Sequence, residues 1–447
     1  MRLTKIKWFI LAALLAPIVL NAQETALPLY DLPDPFLHDV STSGSLAQTR
    51  AGRYVVANML TDTVSIIGRT GTIEAEIPAG NDPRGVTVTA DNLRALALSR
   101  GDGTLIIIDL ETNAVSDVHQ IGSTPYHIVA DAATAYISLQ DSAEVVSIDI
   151  ETGVITQRIR TPDYPAALAL WGDFLYVTHF WTGELSLIFL PAGEVVRTIR
   201  PNPESSLSQS IEIDPFAGLA FLPQSLSNND LLNATADNRL IPVVQVVDLS
   251  TMMVDRSINL VVADRHVNMP FAAAQPANRS RLYVAHAGSD AVTVLDLDRN
   301  VAEAHFETGA NPRALMFNSA FTQVVVHDAL DNTLSLVGTR FLALDDSIPT
   351  SAQAVTAGTQ IGARLFHTAN DSRLSRNHAI SCASCHFDAG SDGRRWQNRR
   401  TPALNEVTNF ESAFIEQHIQ SLQNGRGLGE TSLDMLALLD YLRTGGE

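Results

Sequence analysis

The chain is predicted to be an all-β seven-bladed propeller followed by a small all-α domain, on three observations. Prolines recur after small or polar residues, at Asn81-Asp82-Pro83, Ser123-Thr124-Pro125, Asp163-Tyr164-Pro165, Asn268-Met269-Pro270 and Ala310-Asn311-Pro312. Each short interval holds four short strand-like runs, the gap from Pro165 to Pro270 holds two longer cycles, and a period of roughly 40–45 residues with four strands is that of a propeller blade rather than of a solenoid, whose repeats are shorter. From residue 361 the spacing turns helical, around the chain's 2 cysteines.

The first element is a leader over 1–22. Arg2, Lys5 and Lys7 precede an apolar run from Trp8 to Leu20, and Asn21-Ala22 supplies a small residue at the break. That is the order of a secretory signal peptide. The run is shorter than the roughly 18–20 residues a spanning helix needs, so an uncleaved anchor is the weaker alternative. The mature chain is expected to be periplasmic or secreted, with no integral membrane span.

Removing the leader takes the formal charge from −19 to about −22, nearly all of it before residue 361. Such a surface repels nucleic acid and anionic lipid. Both lysines lie in the leader, so the mature chain can form no lysine Schiff base and carries no lysine ring for docking acidic partners.

The propeller is expected over 41–345. After each proline comes a first strand (Gly85-Val86-Thr87-Val88), then a second (Arg94 to Leu98), and then a third that ends in Asp (Leu105 to Asp109; Val145 to Asp149; Val243 to Asp248; Val292 to Asp296). The second strands Tyr176-Val177-Thr178-His179, Tyr283-Val284-Ala285-His286 and Val324-Val325-Val326-His327 resemble those of the YVTN family of propellers, with histidine in place of that family's asparagine. The resemblance implies a fold and no particular activity.

A meander alternates its connections between two faces, so second-to-third loops and blade-to-blade loops share one. Arg84, His127, His179, His266, His286, Arg313 and His327 all sit at such connections. So do the long stretches 201–209, 224–240 and 261–269. These residues either cap strand ends or form one mouth that docks the helical domain, an anion or a metal. His119 and His305 fall on outer strands and are expected to be solvated.

A linker over 346–360 precedes a helical domain over 361–447. Cys382-Ala383-Ser384-Cys385-His386 reads C-x-x-C-H. Two thiols at this spacing reach the two vinyl groups of one porphyrin, and the adjacent imidazole faces the iron. One covalent haem c is therefore expected, with His386 as its proximal iron ligand. A redox-active dithiol is the plainer alternative.

The order Gly362 to His367, Arg373-Leu374-Ser375, the motif, Asp392-Gly393-Arg394-Arg395-Trp396 and Arg400-Thr401-Pro402-Ala403-Leu404 resembles the di-haem cytochrome c peroxidase superfamily around its N-terminal haem, in single-motif versions fused to YVTN propellers. That resemblance implies a cytochrome c-like domain held by Cys382, Cys385 and His386. The second motif is missing, as is the His-Trp segment that such fused proteins carry after Thr-Pro-x-Leu. Both absences weigh against peroxidase turnover.

For the sixth ligand His418 and Met435 are the leading candidates, followed by His367 and His378, or an open iron. His418 shares a stripe with Phe410, Phe414 and Leu422 on a helix expected over 409–423, and Met435 lies on one over 432–443. Arg394, Arg395, Arg399 and Arg400 suit haem propionates or the acidic propeller equally. Three functions stay open. One is one-electron transfer with a redox protein or a small-molecule donor or acceptor, the propeller recognising it. Another is a mono-haem peroxidase or oxidase using Glu406, Glu411 or Glu416. The third is a propeller binding protein with a regulatory or vestigial haem.

Overall fold

In the computed structural model, residues 31–228, 239–261, 266–396, 399–404, 407 and 410–444 are described. Seven antiparallel sheets follow one another over 46–78, 83–120, 125–160, 165–199, 205–259, 270–307 and 312–349, making a seven-bladed β-propeller. First strands of neighbouring blades pack together around the axis, and fourth strands lie outside. Burial follows that order. In blade 2 the third strand, Thr104–Asp109, is buried through its middle, while the fourth, Ala114–Gln120, is exposed. Adjacent sheets share their apolar side chains, as where Leu105 and Ile107 of blade 2 meet Ile128 and Ile137 of blade 3. Each such side chain stabilises the ring by ~1.5–3 kcal/mol relative to exposure.

The aspartates that end third strands close turns. Asp109 Oδ1 accepts from the Glu111 and Thr112 amides at 2.9 and 2.7 Å, and Asp149, Asp248 and Asp296 repeat the motif. A short carboxylate that captures its own downstream amides is a turn former. The residues before the blade-opening prolines are all left-handed: Asp82, Thr124, Tyr164, Met269 and Asn311 have φ between 48° and 59°. A register shift follows each proline, so the chain turns sharply into the channel.

The channel is filled by the chain's own N-terminal stretch. Val40–Thr42 pairs antiparallel with the first strand of blade 4, matching Val40 to Trp171 and Thr42 to Ala169. Gly44 bridges Val86 of blade 2, and the chain then becomes the first strand of blade 1 at Leu46–Gln48. Ser43 takes the Leu168 amide on its hydroxyl at 2.9 Å. Blades 1 and 7 are each built from consecutive strands, so no shared blade locks the ring. The crossing segment ties blades 1, 2 and 4 instead.

The domain limits move slightly from the expected 41–345, 346–360 and 361–447. Blade 7 runs to Pro349, because Ser347 and Ile348 pair with Ser335 and Leu334. The helix α1, Ala357–His367, starts inside the expected linker, where the Thr356 hydroxyl caps the Thr359 amide. Blade 5 is the irregular one. Its inner edge is split into Ser205–Ser206 and Glu212–Asp214, and its second and third strands have 9 residues each. Much of the expected 224–240 loop is therefore strand, and 229–238 lie outside the described residues.

After α1 come α2 (Ala383–His386), a 3-10 turn (Phe387–Ala389), α3 (Ser412–Leu422) and α4 (Leu433–Arg443). These few helices do not form a detached domain. Their core joins Phe366, Leu374, Ile419, Met435, Leu438 and Tyr441 to Tyr126, Phe180, Met269 and Phe271 of the propeller. No helix among the described residues is long and apolar enough to cross a membrane.

Candidate functional site

Cys382 to His386 form one helical turn, closed by the His386 amide donating to the Cys382 carbonyl at 3.0 Å. Neither cysteine is in a disulfide. One side of the turn is fastened to the propeller. Asn268, in the connection from blade 5 to blade 6, gives its side-chain N–H to the Ala379 carbonyl at 3.0 Å, and its oxygen accepts from the hydroxyls of Ser381 and Ser384 at 3.1 Å each. Ser384 is one of the two residues between the cysteines. The motif's spacing therefore also carries a docking contact, which no reading of the motif alone would show.

The other side faces the helices. Gln423 donates to Cys382 Sγ at 3.2 Å. Cys385 packs beside Leu240 and Ile380, near the guanidinium of Arg239, which is itself held by the Leu422 carbonyl at 2.7 Å. Burial raises the pKa of both thiols. This is the opposite of the electropositive setting that makes a reactive thiolate. His386 is 7% exposed, with a buried Nδ1 that has no hydrogen-bond partner. Burial lowers its pKa, against the pull of Asp392 and the Gly390 and Pro402 carbonyls.

The ring of His418, on α3, stands 6.2 Å from that of His386, centre to centre. An imidazole nitrogen sits about 2 Å from a transition-metal ion, so two imidazoles on opposite sides of one ion have centres about 6 Å apart. The residues present therefore fit a haem: two unbridged thiols one helical turn apart, a buried imidazole with an unused nitrogen, and a second imidazole at the right separation. The other sixth-ligand candidates stand in different surroundings. Met435 is fully buried in the core of the helices. His367 bonds the Ala363 carbonyl at 2.9 Å and meets Arg313 at 3.4 Å. His378 bonds the Ala369 carbonyl at 3.1 Å.

Phe387 and Asp388, just after the motif, reach into the mouth of the propeller. Asp388 (φ 49°) pairs with Arg84 at 2.9 Å and lies 3.8 Å from Arg100. Burial alone would raise its pKa; Arg84, Arg100 and Arg313 outweigh that and hold it below the ordinary carboxylate range. Asp82 joins Arg84 at 2.6 Å and Arg100 at 3.1 Å. Phe387 packs on Phe180 and Phe271, with the Arg313 guanidinium 5.0 Å over its ring. Sequence reasoning missed Phe387, Asp388 and Arg100. An apolar-acidic pair directly behind the motif, in a chain with buried arginines ahead of it, was the available signal.

Of the seven residues placed on this face, four come together. Arg84, His127, Arg313 and His327 line one small cavity on the propeller axis. His127 and His327 turn inward, meeting the hydroxyls of Ser43 and Ser45 at 3.1 and 2.8 Å. His179 and His286 belong to the blades instead, bonding Ser186 at 2.8 Å and Thr293 at 2.6 Å. Register separates the pairs. Pro165 faces His179 and Pro270 faces His286, but Pro312 faces Asp328. His327 is thus one residue off the repeat, and a one-residue step in a strand turns the side chain to the opposite side. The position shared by His179, His286, Asp328 and Asn58 bonds a hydroxyl seven residues on in every case. His266 lies half-buried in the connection from blade 5 to blade 6, apart from the cluster. His305, expected in solvent, extends the His286–Thr293 chain at 2.9 Å.

Arg394 donates to the Ser205 carbonyl at 3.0 Å, so it meets the propeller. The side chains of Arg395, Arg399 and Arg400 lie outside what is described. Glu416 is committed to the Leu428 and Gly429 amides, and Glu406 lies outside the described residues. Over blades 1 to 4 a cleft of about 1480 Å³ stays open between the propeller and the loop after the motif, walled by Tyr164, Phe180, Trp181, Asp141 and Pro402.

The fold has relatives of known structure. Kuenenia stuttgartiensis hydrazine synthase matches with a TM-score of 0.61 at 17% identity, over 70% of this chain and 97% of that one. The likeness is one of fold. No family model and no curated protein matches the chain.

Proposed function

We propose that the chain is a c-type haem protein of the periplasm or the extracellular space, carrying one covalent haem and passing single electrons. The carrying observation is the geometry at the C-x-x-C-H turn: two unbridged cysteines, with the buried His386 ring 6.2 Å from that of His418. Cys382, Cys385, His386 and His418 would hold the group. When bound, a haem of this kind supplies a one-electron ferric–ferrous couple. The chain's own part is to fix the turn from both sides, Asn268 through Ser381 and Ser384, and the mouth through Phe387 and Asp388. A rigid mount keeps reorganisation small when charge changes. Tail and propeller share one core, so the motif that would hold the group is fixed relative to the open cleft, where a redox protein or a small donor or acceptor would be recognised.

With His386 and His418 both holding the group, no position on it would be left for peroxide, and no described residue favours the peroxidase or oxidase reading. The test is a reduced-minus-oxidised spectrum of protein matured with haem-attachment machinery, recorded with and without carbon monoxide. The expected result is a six-coordinate c-type spectrum that carbon monoxide leaves unchanged, with His418→Ala becoming carbon monoxide-sensitive. A wild type that binds carbon monoxide readily would overturn the electron-transfer reading and restore the enzyme one.

A further inference from the structure

At the mouth of the propeller one buried arginine lies outside the ion pairs that hold the others. Arg84, Arg100 and Arg313 meet two carboxylates, Asp82 and Asp388, and those two pair with Arg84 and Arg100. Arg313 has no carboxylate partner among the described residues. It donates through Nε to Asn311 at 2.6 Å, and its Nη2 lies 3.4 Å from His367 Nε2. Its guanidinium otherwise faces the rings of Phe271 and Phe387 at 5.4 and 5.0 Å. At 6% exposure it is a buried, unmatched cation. Such a charge is costly unless it is paired.

Beneath it, on the propeller axis, lies a small cavity of about 20 Å³. Its walls include Arg84, Arg313, Tyr126, His127, His327 and Phe271, and no carboxylate. A space of roughly 10–15 Å³ already accommodates one water-sized body. Two of these residues carry buried nitrogens with no partner, Arg84 Nη1 and His327 Nε2. Both side chains are at least nine-tenths buried. The other nitrogen of His327 is fixed by Ser45, and His127 by Ser43, so the crossing N-terminal segment sets the orientation of both rings.

We propose that this cavity is a binding site for one small monovalent anion of the halide class, held by Arg84 and Arg313 and sealed from above by Phe387 and Asp388. One negative charge there would give Arg313 the partner that the ion pairs of the mouth do not supply. An anion also gives the unpartnered nitrogens an acceptor that a neutral cavity lacks. The site would link three parts of the chain: the N-terminal segment, the blades and the turn that follows the C-x-x-C-H motif. It does not depend on whether haem is carried.

Bromide is the probe. Crystals of the full chain grown in sodium bromide should show an anomalous peak between Arg84, Arg313 and His327. Featureless density there, or a peak with no anomalous signal, would overturn the site, the second outcome assigning a water. In solution, thermal unfolding in sodium chloride is compared with sodium gluconate at equal ionic strength. Tm should rise by about 2 °C for each tenfold increase in chloride above its Kd. Arg313→Met should lose that dependence. If that variant does not fold, the wild-type bromide experiment still decides, and equal Tm in the two salts would contradict the proposal independently.

Discussion

The blades and the helices that follow them are held by different kinds of contact. Between blades, neighbouring sheets bury continuous apolar clusters, such as Leu105, Ile107, Ile128 and Ile137. Between the helices and the propeller an apolar core is supplemented by single polar anchors: Asp388 on Arg84, Asn268 on Ser381 and Ser384, Arg239 on the Leu422 carbonyl, and Arg394 on the Ser205 carbonyl. Apolar burial is non-directional and spread over many residues, so losing one side chain is a local matter. A buried ion pair concentrates its effect, because removing one partner strands the other. The repeat therefore tolerates variation, and the seat of the motif does not.

The largest expected break in this comparison is at Asp388. Asp388→Ala leaves Arg84 and Arg100 with one carboxylate between them and should cost about 3–5 kcal/mol. Limited proteolysis should then cut between the propeller and α1 while the blades survive. If Asp388→Ala costs no more than Ile107→Val, at roughly 1 kcal/mol, the contrast fails. Phe387→Ala removes the apolar half of the same contact and should cost about 3 kcal/mol, read as a fall in the denaturant midpoint.

Acid should separate the two kinds of contact as well. Burial, with Arg84 or Arg313 nearby, depresses His127, His327 and His367 to a pKa of about 3. A histidine whose folded pKa lies below its unfolded value takes up its proton in the unfolded chain first. Its stabilisation is therefore complete above about pH 6.5 and declines toward pH 3, by roughly 1 kcal/mol per histidine for each pH unit. Asp388, also depressed, has its contribution above about pH 4 and loses it as pH falls through its folded pKa. Glu212 and Asp328, pushed by burial up to about 8 and 7, take up protons in the folded chain over the same range and oppose that loss, so the histidine part is read as the difference between the wild type and His127→Gln. A difference that stays flat from pH 7 to pH 4.5 would show that this imidazole is not sealed in the mouth.

The smallest effect concerns the channel segment. Ser45→Ala removes one hydrogen bond to His327 and should cost about 1 kcal/mol. A loss well beyond that, in equilibrium unfolding, would mean that the segment closes the ring more strongly than its pairing with blade 4 suggests.

What was legible in the chain follows the same division. Proline spacing and β-branched runs gave the blades, because periodicity is how an apolar repeat is written. The C-x-x-C-H motif was legible because its chemistry fixes its spacing. The channel segment was not, since Val40-Ser41-Thr42 is too short to carry a pattern of its own. Nor was the offset of His327: its run looks like those ending in His179 and His286, and only the pairing of Pro312 with Asp328 reveals the step. Asp388 acts through a partner 304 residues away and Phe387 through rings in blades 4 and 6, separations no local pattern records. The end of blade 7 was misjudged because Ala343–Pro349 is mostly exposed and acidic, like a linker.

The central claim is the covalent haem on Cys382 and Cys385. Its most direct test is the intact mass, under denaturing conditions, of protein matured with haem-attachment machinery. The account predicts a mass above that of the polypeptide by one haem, with the excess lost when Cys382→Ala and Cys385→Ala are combined. A wild-type mass equal to that of the polypeptide alone would contradict it.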